Sequence, residues 1–252
     1  VAVFTRNSGG TSEGGYASLN LGLHVGDDPK RVLQNRERLG DMVGLSPQRI
    51  TYMEQVHGNE VAVVGREDVG RGAQALEDAV KNCDGLVTSV EEAGLAVLAA
   101  DCVPILMADP VAGVIAATHA GWRGATSGVA TATVEQMVRQ GAQRERIWVA
   151  FGPAIRGCCY EVDGPVIRAV EQAYKRFAPA RRPAMARGSS RLHAQLDLPS
   201  LCWHELQEVG IKANHFVDVA VCTSCMGGQF SHRASHGQAG RHAGVIWRRK
   251  RR

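Results

Sequence analysis

The sequence predicts an α+β fold: a single domain of layered mixed β-sheets and helices, an αββα-like sandwich. Three observations predict it. Two apolar, β-like runs, Val103–Ala108 and Gly113–Thr118, flank the turn-forming pair Asp109-Pro110, which argues for antiparallel pairing at the centre of the chain. Strand-like and helix-like segments alternate without the regular βαβ rhythm of a doubly wound sheet. The 252 residues show no internal repeat and no linker that separates two units, and they suffice for one large core.

The elements follow in order. In "YASLNLGLHVGDDPKRVLQNRERLGDMVGLS", Asp27 or Asp28 caps a helix with Pro29 in its first turn and Gly44 at its exit. Val32, Leu33, Leu39, Met42 and Val43 form its buried stripe, and helical phase turns Asn35 and Arg36 toward the same side. A buried guanidinium needs an anion or a carboxylate. The alternative is an Arg36 that snorkels to water from the edge of the stripe. Next, "RITYMEQVHGNEVAVV" is strand-like on both sides of His57-Gly58, and "NCDGLVTS" and "LAVLAA" continue the β character.

After the central hairpin, "GWRGATSGVATATVEQMVRQG" reads as a glycine-rich loop running into a helix that ends at Gly141. The free N–H groups of that helix start, beside Arg123, suit an anion. A Walker A loop is excluded, because the Gly-Lys-Ser/Thr ending is absent. A strand "RIWVAFG", a loop "PAIRGCCYEV", a helix behind Asp163 and Pro165, and a last helix behind Asp197 complete the pattern.

Composition is that of a globular protein, 44% hydrophobic and 21% charged. No stretch approaches the roughly 18 uninterrupted apolar residues of a membrane span, so no membrane partner is expected. The opening "VAVFTRNSGG" has no basic segment followed by an apolar one, so no secretory signal is expected. The net charge is +4, but the closing "RRKRR" (248–252) carries +5, leaving −1 for residues 1–247. That division sets a domain of 1–247 against a basic tail of 248–252. The tail and the acid-free stretch Lys175–Arg191 read as a solvated arm and a flexible excursion. No aromatics interleave with these charges, so nucleic acid is not an expected partner. Seven cysteines, spaced unlike a small disulfide scaffold, point to a reducing compartment, the cytoplasm.

Chemistry concentrates at the hairpin. With Ala108 facing Gly113, Cys102 falls opposite His119, with Cβ atoms roughly 4.5–5.5 Å apart. That separation suits two ligands of one metal, or a thiol and its base. As ligands, His57, Cys102 and His119 supply the three protein donors of a catalytic zinc. As a dyad, Cys102 is the nucleophile and His119 the base, although Asp101 alternates to the opposite side of the strand and cannot readily orient the imidazole. "CTSC" (Cys222 to Cys225) is half of a zinc site with no second CxxC, and reads as two core cysteines. His232, His236 and His242 read as ordinary loop histidines. None of the nine histidines stands in a His-x-His pair of the kind coupled copper sites use, so copper is expected only as an alternative occupant of the zinc ligands.

Taken together, "SLNLGLHVGDD" with "NRERL", "QVHG", "CDGLVT", "ADCVPILMAD", "THAGWRG", "FGPAI" with "CCYEV", and the closing "CTSC…FSHR…GR" resemble the YfiH family of purine nucleoside phosphorylases, also labelled polyphenol oxidases or laccase-domain proteins. The matching segments run from Ser18 to Trp247. The resemblance implies a single α+β domain holding zinc through two histidines and one cysteine, here His57, Cys102 and His119. It implies phosphorolysis of adenosine, inosine or methylthioadenosine, with deamination of adenosine besides. Purine nucleosides and phosphate are then the expected partners, and a monomer the expected state. Arg36 and Asp101 are the expected catalytic residues, Arg36 for phosphate and Asp101 for proton transfer or support of the metal. Asn20, Asn35, Gly121, Arg123 and Arg233 are the expected substrate-binding residues. Where the family commonly reads "RRDG", this chain has Arg233-Ala234-Ser235-His236-Gly237. Copper-dependent phenol oxidation and a non-catalytic metal- or RNA-binding module are the alternative functions.

Overall fold

The computed structural model describes residues 1–177, 180–181, 183–190 and 192–249. Two sheets form its centre. The larger has six strands in the order β12-β8-β6-β7-β4-β3: β3 (Val61–Val63), β4 (Gly85–Thr88), β6 (Val103–Asp109), β7 (Val114–Ala120), β8 (Trp148–Phe151) and β12 (Phe216–Asp218). The second has four, β1-β13-β5-β2: β1 (Ala2–Phe4), β2 (Ile50–Thr51), β5 (Gly94–Ala99) and β13 (His242–Trp247). A small third sheet joins β9 (Glu161–Val162), β10 (Met185–Arg187) and β11 (Ala194–Leu196).

Alternation along the strands assigns the layers. Leu95 and Val97 of β5, Ile246 of β13, Leu106 of β6, and Ile115 and Ala117 of β7 pack together between the two large sheets. Their neighbours point outward. Ala96, Leu98, Ala243 and Val245 meet Leu39 of α1 (Pro29–Val43), which covers the four-stranded sheet. Val103, Ile105, Met107, Val114 and Ala116 meet the other helices: α2 (Trp122–Ser127), α3 (Val129–Arg139), α4 (Gly164–Phe177) and α5 (Leu198–Glu208). The molecule is therefore the αββα sandwich the sequence predicts. Among the described residues no helix is long and apolar enough to cross a membrane.

The helix boundaries agree with their capping signals. Asp28 accepts the Lys30 N–H ahead of Pro29, and Gly44 closes α1 at φ 66°. Asp197 accepts the Ser200 N–H at the start of α5. Other expectations are corrected. The hairpin register is shifted by two residues: Asp109 pairs with Val114, and His119 lies opposite Pro104, not Cys102. The cause is the Asp109 carboxylate, which accepts the N–H groups of Val111 and Ala112 and builds a wider turn closed by Gly113 at φ 69°. An even shift preserves the face, so Cys102 still reaches His119, diagonally. The segment after His119 is already helical, with Gly128 at φ 90° dividing α2 from α3.

The Lys175–Arg191 stretch contains a strand, β10, paired with β11; its residues 178, 179, 182 and 191 lie outside the described residues. In the basic tail, Arg248 is tied to Glu91 at 3.0 Å, whereas 250–252 lie outside the described residues.

Candidate functional site

The crossover from β5 to β6, the end of β7 and the loop before β3 converge at one end of the sandwich, on a cavity of about 390 Å³. This is the usual size range of small-ligand sites, roughly 300–1,000 Å³. His57, Cys102 and His119 open onto it, and their donor atoms all lie within 4.8 Å of one another. Cys102 Sγ is 3.9 Å from His57 Nε2, and the two imidazoles meet edge to face at 4.8 Å.

Asp84, fully buried, organises the cluster. Its carboxylate accepts the consecutive main-chain N–H groups of Val56, His57 and Gly58, at 3.2, 3.0 and 2.6 Å. That nest of amides holds His57 in the left-handed region, φ 61°, where a non-glycine residue needs such support. Asp84 Oδ1 also lies 2.8 Å from His119 Nδ1. A carboxylate can only accept, so Nδ1 carries a proton and Nε2 is the nitrogen turned to the cluster. Although burial lowers it, the facing Cys102 and Asp84 raise the His119 pKa to about 9. Burial alone would raise the Asp84 pKa, but the His119 hydrogen bond and the amides hold it below the ordinary carboxylate value. Burial likewise pushes the Cys102 thiol up, and the facing His119 and His57 imidazoles overcome this and draw it down, toward thiolate. Two imidazole nitrogens and a thiolate, with one side left open to the cavity, fit a metal ion bound by three protein ligands.

Gly121 makes this proximity possible. A Cβ on it would stand 2.7 Å from His57 Cδ2 and 3.2 Å from Cys102 Sγ. Asp101 lies in the cavity wall at φ 98°, its carboxylate taking the Thr223 hydroxyl and the Arg233 N–H. The Arg233 guanidinium, also at the cavity, sits 5.2 Å from the centre of the Tyr160 ring.

Four expected site residues are not brought here. Arg36 is buried as helical phase predicts, but its partners are main-chain carbonyls: Leu21 O at 2.8 and 3.0 Å, Gly72 O at 2.6 Å and Ala73 O at 2.9 Å. Its guanidinium also lies 3.8 Å over the Tyr52 ring. Arg36 is thus a clamp between loops, with its donors occupied, and the expected phosphate contact is corrected accordingly. Asn35 is equally structural, accepting the Thr11 N–H and reaching Ser12, Ser18 and Asn20. Asn20, fully buried, takes the Gly22 and Arg241 N–H groups. Arg123 is exposed and stacks on its neighbour Trp122 at 4.3 Å, outside the cavity lining.

Other residues enter that sequence reasoning missed: Asp84, Gln55, Tyr160 and Arg241. Gln55 grips the main chain of Leu98 in the cavity wall through both its amide oxygen and nitrogen, each at 2.8 Å. Arg241 lines the cavity on the Asn20 side and donates to the Ala239 and Gly240 carbonyls. The "CTSC" pair is also corrected: Cys225 is exposed, and both cysteines lie against Cys158 and Cys159.

Comparison with known proteins agrees with this architecture. The family model described as multi-copper polyphenol oxidoreductase laccase matches residues 1–249. The chain belongs to this family. A relative from Corynebacterium glutamicum, named a purine nucleoside phosphorylase, is 41% identical over 97% of this chain and 93% of its own. The purine nucleoside phosphorylase YlmD of Geobacillus stearothermophilus is 40% identical over 99% of this chain and 90% of its own. The YlmD crystal structure superposes with a TM-score of 0.94, covering 99% of this chain and 92% of that one at 39% identity. The crystal structure of Bacillus licheniformis YfiH, titled a hypothetical protein, gives 0.91 at 33% identity, covering 98% and 92%.

Proposed function

We propose that the chain is a purine nucleoside phosphorylase acting in the cavity beside His57, Cys102 and His119. The observation that carries this reading is the convergence of those three donors with two cavity-lining arginines, Arg233 and Arg241, in one small-ligand cavity. The names of the relatives at about 40% identity support the same reaction.

Phosphorolysis joins a phosphate oxygen to the ribose C1′ and breaks the bond from C1′ to the purine nitrogen. The products are a free base, whose nitrogen takes up the hydrogenphosphate proton, and ribose 1-phosphate, or 5-methylthioribose 1-phosphate from methylthioadenosine. A phosphate entering the cavity needs cationic donors, and Arg233 and Arg241 take the role expected of Arg36. Arg233 is positioned from two sides, by its main-chain N–H on Asp101 and by its NH1 on the Glu161 carbonyl at 3.2 Å. Asp101 therefore orients a substrate-facing loop. The departing base is placed against the apolar walls, Leu98, Ile155 and Tyr160.

We assign the metal as zinc, held by His57, Cys102 and His119, because imidazole and thiolate donors with one open side suit it. Zinc there supplies Lewis-acid polarisation, which extends the reading to deamination of adenosine. Adenosine, inosine and methylthioadenosine are the substrates we propose, and the monomer and the cytoplasm the working state and place; all seven cysteines are free thiols, as a reducing compartment requires. A coupled multi-copper oxidase would need more imidazoles than His57 and His119, so phenol oxidation is the weaker reading.

The test is product analysis of adenosine, inosine and methylthioadenosine with and without phosphate. Phosphate-dependent release of base with the matching sugar 1-phosphate (ribose 1-phosphate, or 5-methylthioribose 1-phosphate from methylthioadenosine) supports the proposal, and inosine with ammonia from adenosine supports the deaminase. Absence of both, with rapid copper-dependent phenol oxidation, overturns it.

A further inference from the structure

The strongest feature outside the cavity is a second cluster, of four cysteines. Cys158 and Cys159 sit in the turn after β8, and Cys222 and Cys225 in the turn after β12. Sixty-odd residues separate the pairs in sequence, yet all four sulfurs lie within 4.8 Å of one another. The main chain explains why. Residue 154 runs beside 221–223 as an isolated parallel bridge, with Ala154 N–H on Val221 O at 3.2 Å and Thr223 N–H on Ala154 O at 3.1 Å. The chain then folds back at Arg156, whose carbonyl accepts the Cys159 and Tyr160 N–H groups.

We propose that Cys158, Cys159, Cys222 and Cys225 form a second metal site, a closed tetrathiolate that takes zinc and staples together the two loops walling the cavity. The geometry carries the argument. Four thiolates at about 2.3 Å from a tetrahedral zinc stand about 3.8 Å apart. Cys158 Sγ and Cys225 Sγ are 3.7 Å apart. That is far beyond a disulfide bond of about 2.05 Å, and all four are free thiols.

Concentrated thiolate charge needs compensation, and the main chain provides it. The main-chain N–H groups of Arg156, Ser224 and Cys225 are turned toward the Cys222 sulfur. Four protein donors leave no open coordination position, which marks a structural site and not a catalytic one. The soft donor set selects zinc or copper(I) over harder ions.

The site also touches the cavity through its neighbours. Thr223, next to Cys222, gives its hydroxyl to Asp101, which precedes the ligand Cys102. Tyr160, next to Cys159, is itself part of the cavity wall. Loss of the staple would loosen both.

The experiment measures metal content of the full chain, purified in reductant without chelator. Wild type, Cys102→Ser and the double variant Cys158→Ser/Cys225→Ser are compared by elemental analysis, and each is reloaded with cobalt(II). The expected result is about two zinc ions per wild-type chain and about one in each variant. The thiolate-to-cobalt charge-transfer band should persist at high intensity in Cys102→Ser and fall sharply in the double variant.

Because the double variant could fail to fold, wild-type protein is also alkylated with and without a chelator and mapped by mass spectrometry. Zinc should protect all four cysteines together, and chelation should release them together. Unchanged zinc in a folded double variant overturns the proposal. So do four cysteines that alkylate freely in zinc-loaded protein, or a disulfide between any two of them in protein kept reduced. None of these outcomes bears on the His57, Cys102 and His119 cluster, so the two assignments fail separately.

Discussion

A single oxygen, Asp84 Oδ1, joins His119 and His57: it lies 2.8 Å from the His119 ring nitrogen Nδ1 and 3.0 Å from the His57 main-chain nitrogen. One carboxylate thereby fixes the tautomer of one imidazole and the backbone of the other. The cluster facing the cavity is preorganised from beneath, by a residue that never reaches the cavity.

The first prediction follows. Asp84→Asn keeps the shape but loses the charge and part of the acceptor capacity that His119 and the three amides use. Support of this kind is typically worth about 10–100-fold in metal affinity. Chelator competition on the folded variant should show a loss in that range. Affinity equal to wild type would mean that Asp84 only shapes the loop.

Gly121→Ala tests how tightly the cluster is packed. The glycine has an ordinary φ of −75°, so backbone strain plays no part. The added methyl would stand 2.7 Å from the His57 ring, closer than a real contact allows. Weaker metal binding with a nearly unchanged melting temperature is expected, because His57 is exposed and can swing away. Tight binding that survives would show that the loop yields without cost to the site.

The sequence reading went furthest where local rules act. The apolar runs of β5, β6 and β7 were legible as strands, and His57, Cys102 and His119 were recognisable as donors before their geometry was known. The hairpin register was harder. It depended on how many residues Asp109 would cap, a choice made by side-chain hydrogen bonds that do not appear in hydrophobic pattern. Asp84 was missed because an Asp before a Gly reads as a turn residue, and its true partners lie 26 to 35 positions away. The four-cysteine cluster was missed similarly: "CC" and "CTSC" are each half a site, brought together only by the bridge at Ala154 and Cys222. Arg36 is the instructive case. Helical phase gave its direction correctly, but direction does not say what stands at the end of the side chain.

Carbonyls stand there, which makes Arg36→Met a stability variant. It would leave the Leu21, Gly72 and Ala73 oxygens without their guanidinium donors in a buried place. At about 1–3 kcal/mol for each unsatisfied group, the loss should reach about 3 kcal/mol or more. Urea unfolding should show it, while the KM for phosphate measured on folded protein stays at the wild-type value. A specific rise in that KM at unchanged stability would restore the phosphate role.

Glu205, which is not among the cavity-lining residues, gives a pH dependence of stability. It is buried on α5, with Oε1 accepting the Thr131 N–H at 2.8 Å and Oε2 lacking a hydrogen-bond partner. Burial raises its pKa from 4.5 to about 7, partly offset by the Thr131 hydrogen bonds. The sign follows from proton binding: between pH 4.5 and about 7 the folded state holds a proton that the unfolded state has released. The contribution of Glu205 to stability is therefore complete below pH 4.5 and is lost as pH rises through about 7. A shift of this size corresponds to about 3 kcal/mol at most. Glu205→Gln stays neutral, can still accept from Thr131, and has an N–H to offer the Thr131 hydroxyl. The variant should gain on wild type as pH rises from 5 to 8, by up to about 3 kcal/mol in urea unfolding. Parallel stability curves across that range would mean that Glu205 ionises in the folded protein as readily as it does in water.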